Sequence, residues 1–359
     1  MSAPYQGELW SRFCDGLKAL GHEVLRAESP TDDFNRAEGY RYLTRMLRDG
    51  IMRQVEFIDP AYPVLYDLNP AWVSIGSSPD NEYFMSFIDG RLDYCLSGNR
   101  GGVHYIGIST KTGGYEKEPA LSPSGFIDST ILKTDADGNF EIHLSQKPQP
   151  GNWLQMSPAT TNLIVRQTFL DRKREKPAQM RLECINPGRE PLPLDPYEFP
   201  DRLMAVLKYM KGNFDVSGNW TRMFQTAPNS FYPLDQDVYL KAGGDPTIFY
   251  AQGYWQLHAD EALVVDVPKL ECEFWNFQIN NYWSEVVGFN QKPSAVNKSS
   301  AKVDDEGRAR LVVAHADPGR PNWIPTLGHD RGSMIFRIIN GRPPEAPTAR
   351  LVKMDQISA

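Results

Sequence analysis

The sequence predicts a mainly β fold: two related β-sandwich units of jelly-roll type, with an N-terminal helical segment and a helical insertion between them. Three observations carry that expectation. First, the chain repeats itself, since KTDADGNFEIHL, PGNWL and LIVR over residues 133–166 return as KVDDEGRARLVV, PGRPNWI and MIFR over residues 302–337. Lys133 matches Lys302, Gly138 matches Gly307, Asn152-Trp153 matches Asn322-Trp323, and Arg166 matches Arg337. The step from Lys to Asn is 19 residues in one copy (133 to 152) and 20 in the other (302 to 322). A pattern that keeps both order and spacing marks a duplicated supersecondary unit. Second, short runs rich in Val, Ile, Tyr and Phe alternate with Gly, Asp, Asn and Pro clusters about every ten residues, as sandwiches require. Third, helical periodicity is confined to the start and the middle of the chain.

Taken in order, residues 1–65 form the helical segment. Leu9, Phe13, Leu17, Leu20 and Val24 recur at helical spacing, and Ala37, Tyr40, Leu43, Leu47 and Ile51 do so again. Asp32-Asp33 suits the start of that second helix and Gly50 its end. Pro60, Pro63 and Pro70 then stop helical structure, because proline has no backbone N–H to donate. Residues 66–195 are the first sandwich and residues 236–359 the second. Asp137-Gly138 and Glu306-Gly307 read as tight turns with positive φ at the glycine. Between the sandwiches, residues 196–235 carry helical spacing at Leu203, Val206, Leu207 and Met210, closed by Gly212. The Pro-rich tail after Pro343 is expected to lie on the surface as an arm.

Composition narrows the partners. A chain of 359 residues exceeds one ordinary core, which agrees with two units. A net charge of -7 and a pI near 5.5 give no basic field for nucleic acid or anionic lipid. No apolar run is long enough to span a bilayer, and the N-terminus has no basic start followed by an apolar stretch, so a cytoplasmic location is expected. Cys14, Cys95, Cys184 and Cys272 form no CxxC pair and read as reduced thiols. Asn219-Trp220-Thr221 and Asn297-Lys298-Ser299 match the glycosylation pattern, which would matter only in a secreted protein. Open sheet edges leave room for a homo-oligomer.

Nucleotide-binding, serine-hydrolase and zinc-protease signatures are missing, and no cofactor or metal is expected. Asp135, Asp137 and Asn139 resemble part of a calcium loop, yet Gly138 sits at the wrong place and no twelfth-position glutamate follows; turn chemistry explains them. The two copies differ where the second has His315, Asp317, His329 and Asp330 around its Asn-Trp turn, whereas the first has Gln146 and Gln149. Imidazole is the usual general base near neutrality, so His329, with Asp330 orienting it, His315 and Arg337 are the candidate catalytic residues. Their bland alternative is a pair of hydrogen-bonded histidines at a strand end and a loop. Arg166 and Arg337 each need an acceptor from the fold or from a ligand. In ECEFWNFQINNYW, alternation puts Trp275, Phe277, Ile279 and Trp283 on one face and Phe274, Asn276, Gln278, Asn280 and Tyr282 on the other. That amide face suits a neutral polar ligand or solvent. DNEYFMSFIDGRLDY is the corresponding segment of the first half. Asn276, Gln278, Tyr282, Asn322, Trp323 and Tyr83 are therefore the candidate substrate-binding residues, although Asn-Trp under a turn is also a sound packing unit. Glu285 and Asp93 remain an alternative carboxylate source.

DPGRPNWIPTLGHDRGSMIFR resembles the bacterial family whose C-terminal domain is the domain of unknown function number twelve-fourteen. YQGELWSRFCDGL, RAEGYRYLTR and PDNEYF are similar to its longer members. The resemblance implies a β-sandwich or jelly-roll architecture and an association with aromatic, steroid or terpenoid catabolism. The expectation for function is a cofactor-free lyase, hydrolase or isomerase doing acid–base chemistry on a small neutral, partly apolar molecule. The alternatives are a non-catalytic small-molecule or carbohydrate-binding protein and an assembly role.

Overall fold

The computed structural model describes residues 7–68, 77–115, 120–186, 188, 190–289 and 294–357. Helix α1 (Glu8–Gly21) buries Phe13 and Leu20. Helix α2 (Asp33–Ile51) starts where its sequence says, because the Asp32 carboxylate accepts the Asn35 N–H at 2.9 Å. It passes through Gly50 and continues into one π-helical turn, Met52–Glu56. Gly50 serves packing: a methyl group there would come within 3.0 Å of Val206.

The described residues form two compact units, each discontinuous in sequence. Residues 240–245 belong to the first unit and residues 77–80 to the second, so the contiguous blocks 66–195 and 236–359 are each completed by a short stretch from elsewhere. The reason is polar: each stretch carries hydrogen-bonding partners for a buried face that would otherwise lack them.

In the first unit, β1 (Tyr66–Asp67), β2 (Asn81–Phe87), β3 (Tyr94–Asn99), β4 (Tyr105–Thr112), β5 (Ser122–Asp128), β6 (Asn139–Ser145), β7 (Asn152–Gln155), β8 (Thr160–Thr168) and β9 (Gln179–Cys184) make two sheets. Their orders are β1-β2-β8-β4-β5 and β7-β6-β3-β9. Helix α3 (Phe199–Gln225) follows. It runs through Gly212 rather than ending there, since a helical glycine costs only about 1 kcal/mol and the buried stripe continues from Leu203, Val206 and Met210 to Phe214.

The second unit holds β10 (Ser230–Tyr232), then, after the short helix α4 (Gln236–Lys241), β11 (Ile248–Gln256), β12 (Glu261–Val267), β13 (Phe274–Ile279), β14 (Ala295–Asn297), β15 (Ala309–Ala314), β16 (Trp323–Pro325), β17 (Arg331–Ile339) and β18 (Thr348–Lys353). Its orders are β10-β11-β17-β13-β14 and β16-β15-β12-β18. Every strand thus has a counterpart nine places earlier, in the same sheet position. The duplication covers whole units, not only the repeat visible in the residues.

Two expectations change as a result. β13 corresponds to β4, and the segment taken as its partner, which contains β2, corresponds to β11. The tail after Pro343 is not only an arm: β18 pairs antiparallel with β12 from Thr348 to Lys353. Between the sheets lie the two cores. Leu96, Ile108, Ile142, Leu163 and Val165 fill the first, and Val265, Phe277, Val313, Met334 and Phe336 fill the second. Among the described residues, no helix is long and apolar enough to cross a membrane.

Candidate functional site

The repeated motif is a hydrogen-bonded corner, built twice from the same groups. Asp135 Oδ1 accepts the N–H groups of Asp137 and Asn139, and Asp304 Oδ1 accepts those of Glu306 and Arg308. The glycine between has φ 83° at Gly138 and 80° at Gly307, which an L side chain resists. Asn152 accepts the Lys133 N–H and donates to the carbonyls of Lys133 and Glu141. Asn322 accepts the Lys302 N–H and donates to the carbonyls of Lys302 and Arg310. Trp153 donates its indole N–H to the Ser145 carbonyl, and Trp323 donates to the Ala314 carbonyl at 3.1 Å. These bonds tie the loop before β15 to the parallel pair β15-β16, and the loop before β6 to β6-β7. Asn322 and Trp323, expected to touch substrate, hold the corner with these polar groups.

Around the second corner the titratable groups converge on Thr326. His315 Nδ1 lies 2.8 Å from Thr326 Oγ1, and His329 Nδ1 lies 3.0 Å from the Thr326 carbonyl oxygen. A carbonyl only accepts, so Nδ1 of His329 carries a proton, and in the neutral ring Nε2 holds the lone pair. The ring, buried at 6% exposure, is therefore fixed in tautomer by the backbone. Asp330, expected to orient it, makes a two-point pair with Arg331 at 3.0 and 2.7 Å. The first copy has Gln146 and Met156 at the places of His315 and Thr326, judged from the Trp153 and Trp323 hydrogen bonds. Gln146 donates to the Gly90 carbonyl.

The amide face of β13 is buried. Asn276 donates to Ser78 Oγ and Asp80, Gln278 donates to the Ser77 carbonyl and Asn280 Oδ1, and Arg337 donates to Gln278 Oε1 at 2.7 Å and to the Ser77 carbonyl at 3.3 Å. Asn297 adds a bond to Asp80. Asn276 and Gln278, expected to bind substrate, and Arg337, expected to be catalytic, thus bond to residues 77–80 of the same unit and to one another or to Asn280. Burying an arginine demands such acceptors. Tyr282 is buried edge-on against Trp283, with ring centres 5.0 Å apart. Glu285 accepts from Asn281 Nδ2 at 3.2 Å.

Tyr83 lies in the first unit, where sequence reasoning missed a dense polar cluster. Its hydroxyl accepts from Asn81, and the Arg166 guanidinium sits 5.9 Å from its ring centre. Arg166, the counterpart of Arg337, pairs with Asp245 at 2.7 Å and donates to the Gly243 carbonyl. Lys111, on β4, pairs with the other Asp245 oxygen at 3.1 Å and donates to the Gly244 carbonyl. Lys111 and Asp245 are 0% and 1% exposed, so neither charge has water to fall back on. Burial pushes the Lys111 ammonium down to about 8 against the pull of Asp245. For Asp245 burial works upward, but Arg166 and Lys111 outweigh it and hold the carboxyl below its ordinary value.

A second knot lies where α2 meets α3. Arg53, on the π-helical turn, donates from Nε to Asp49 at 2.9 Å, and Tyr209 donates its hydroxyl to the same Asp49 oxygen. The Arg53 guanidinium stands 5.2 Å over the Tyr209 ring. Burial pushes Tyr66 up to about 12, with Arg53 opposing. It also raises Tyr209 well above the ordinary phenol value. Asp49 and Arg53 are four residues apart, but Tyr66 and Tyr209 come from elsewhere in the chain and look like ordinary strand and helix content, so no local signal marks the knot as a whole.

Two hollows are described. A groove of about 750 Å³ in the second unit is lined by Asp266, Lys302, Arg310, Arg320, Asn322 and Glu345 among others. A smaller one of about 370 Å³ in the first unit includes Asp89 and Arg91. Neither His315 nor His329 lines them. Among the described residues, no group of three or more His, Cys, Asp and Glu side chains is placed to hold a metal ion.

A doubled nine-strand unit, with a polar outer face on its five-stranded sheet, defines the class: a tandem β-sandwich protein with N-terminal helices. The chain belongs to the family described as Protein of unknown function (DUF1214), whose model matches residues 117–168 and 251–343. Those two segments contain β5–β8 and most of β11–β17. A crystal structure of an uncharacterised protein from Burkholderia cenocepacia is 39% identical to this chain, covers 98% of each chain and has a TM-score of 0.93. The VPA0106 protein from Vibrio parahaemolyticus is 12% identical, covers 94% of this chain and 100% of its own, and has a TM-score of 0.52, a likeness of fold alone. Among curated proteins, no match was found.

Proposed function

We propose that this protein is a cofactor-free enzyme, a lyase, hydrolase or isomerase, doing acid–base chemistry on a small neutral, partly apolar molecule. The observation that supports this reading is the fixed tautomer of His329, whose Nδ1–H is held on the Thr326 carbonyl. That leaves Nε2 as the proton acceptor, the arrangement a general base needs. His315, bonded to the Thr326 hydroxyl, is the second proton carrier, and the hydroxyl can pass a proton because it both donates and accepts. The association of this family of unknown function with catabolic genes is what points the substrate toward aromatic, steroid or terpenoid compounds. The amide row of β13 gives the carbohydrate-binding alternative little support, since the amide nitrogens of Asn276, Gln278 and Asn280 are engaged within the unit.

The test is a panel of neutral esters, lactones and enolisable ketones incubated in D2O with wild type and His329→Gln, followed by NMR. Wild type should hydrolyse or deuterate at least one compound, and the variant should do so about 100- to 10,000-fold more slowly. Equal rates for the two proteins, or no turnover of any compound by wild type, would refute the reading.

A further inference from the structure

We propose that the groove of about 750 Å³ in the second unit is a binding site for a small monocarboxylate with an apolar body, its charge held by Lys302 and Arg320. The proposal does not depend on His329, which does not line the groove. Its first support is the floor. The four-stranded sheet of each unit turns one face to the core and one outward, and the two outward faces differ. In the first unit that face carries polar pairs, His143 with Glu141 at 3.1 Å and Arg181 with Glu183 at 2.7 Å. In the second, Ala262, Val312 and Ala314 are buried there against Trp323, Val352, Met354 and Ile357. Val312 and Ile357 also line the groove, beside Val303, which is 57% exposed. A hollow of this volume with apolar walls and a few polar groups at its rim has the usual composition of a small-molecule site.

The second support is charge. Arg308 pairs with Asp304 at 3.0 Å and with Glu306, while Asp266 takes Arg310 at 2.7 Å and Arg350, so these six groups neutralise one another. Lys302 and Arg320 line the same groove, and among the described residues neither side chain has a carboxylate partner. Glu345 is the one other acid of the lining, and it has no cation among those residues. Two cations against one carboxylate leave a single positive charge, which a monoanion balances and a dianion would overshoot. A guanidinium offers paired N–H donors that match a carboxylate.

The third support is that the corner needs none of this. Asn152 makes the same three bonds in the first copy as Asn322 makes in the second. Yet the first copy runs Pro150-Gly151-Asn152 where the second runs Pro318-Gly319-Arg320-Pro321-Asn322, and Thr134 stands where the second has Val303. Arg320 and the exposed valine are thus additions that the shared hydrogen bonds do not explain. Asn322 holds the Lys302 backbone at both its N–H and its carbonyl, so both cations rise from one fixed corner.

2-Naphthoate is the probe, 2-naphthamide the neutral molecule of the same shape, and acetate the charge without the body. Each is titrated into the full-length protein by calorimetry, for wild type, Lys302→Gln, Arg320→Gln, Lys133→Gln and His329→Gln. Lys133 is the counterpart of Lys302 in the first unit and controls for a general effect of charge. Because the Lys302 and Arg320 side chains have no carboxylate partner to lose, their variants should melt at the wild-type temperature. The site is supported if 2-naphthoate binds wild type, Lys133→Gln and His329→Gln alike, binds Lys302→Gln and Arg320→Gln about three- to fivefold more weakly, and outcompetes 2-naphthamide and acetate. Unchanged affinity in Lys302→Gln or in Arg320→Gln, equal binding of 2-naphthamide or of acetate, or no binding to wild type would overturn it. An equal loss in Lys133→Gln would also overturn it, since the anion would then answer to net charge alone. Loss of 2-naphthoate binding in His329→Gln alone would place the probe at the histidine pair and overturn the groove site, whereas loss of turnover in that variant with binding intact leaves it standing.

Discussion

Asn322 and Asn152 show how much one carboxamide can do when its geometry is fixed. Each satisfies three backbone groups at once, and each ties a loop to a parallel strand pair. Replacing either by alanine strands backbone groups that water must then reach. The cost should be about 1–3 kcal/mol by chemical denaturation, larger for Asn152→Ala because Asn152 is more buried. Asn322→Ala also meets φ 59°, a conformation asparagine tolerates better than alanine. If both variants unfolded at the wild-type midpoint, the corner would not be the hydrogen-bonded unit described. The residue scale also explains what was legible. Asn, Trp and Gly recur at matching positions because only an amide, an indole N–H and a residue free to adopt positive φ complete this corner. Tyr209 and Arg53 gave no such signal, since a lone tyrosine and a lone arginine on separate helical turns are ordinary until folding buries them together.

Elements in the two units correspond although most of their residues do not. β3 reads YCLSGN and β12 reads EALVVDV, yet each lies between two antiparallel neighbours in the four-stranded sheet of its own unit. A strand requires only alternating burial and a β-compatible backbone, so its sequence drifts freely while its place persists. That freedom is why β2 was matched to β13 and why β18 was read as an arm. Backbone approach is less forgiving. At Gly332 in β17, a Cβ would come within 2.0 Å of the Asn280 carbonyl oxygen, which itself receives the Trp255 indole N–H. Gly332→Ala should therefore lower stability by at least about 2 kcal/mol, with loss of near-UV signal from the packed tryptophan. A wild-type melting curve for that variant would show that β17 and the end of β13 have room to part.

For the whole molecule the decisive groups are those that arrive from distant sequence. Asp245 completes the first unit by neutralising Lys111 and Arg166. Residues 77–80 complete the second by meeting Asn276, Gln278 and Arg337. A fragment ending at residue 215 lacks Asp245 and should stay largely unfolded by circular dichroism, as should a fragment starting at residue 216, which lacks Ser77. In the intact chain, Asp245→Asn leaves two cations without their carboxylate and should cost about 3–5 kcal/mol. The pH dependence has a definite sign. Asp245 is held below its ordinary value in the folded state, so its contribution is complete above the unfolded carboxyl range, near pH 4, and is lost as pH falls through the folded value. Stability of wild type should drop on that acid side, and Asp245→Asn should flatten the drop. Parallel acid limbs for the two proteins would mean that other carboxylates govern acid unfolding.

Sequence alone determined that the chain is mainly β, that it is doubled, and that each copy turns on a Gly and an Asn-Trp pair, because those features rest on local chemistry that neighbouring residues must supply. Tertiary structure alone decided which polar groups are buried together: the histidines on Thr326, the amide row against residues 77–80, Asp245 between two cations, and Tyr209 against Arg53 and Asp49. A buried charge needs an acceptor close in space, at whatever distance along the chain, and sequence spacing carries no record of that proximity.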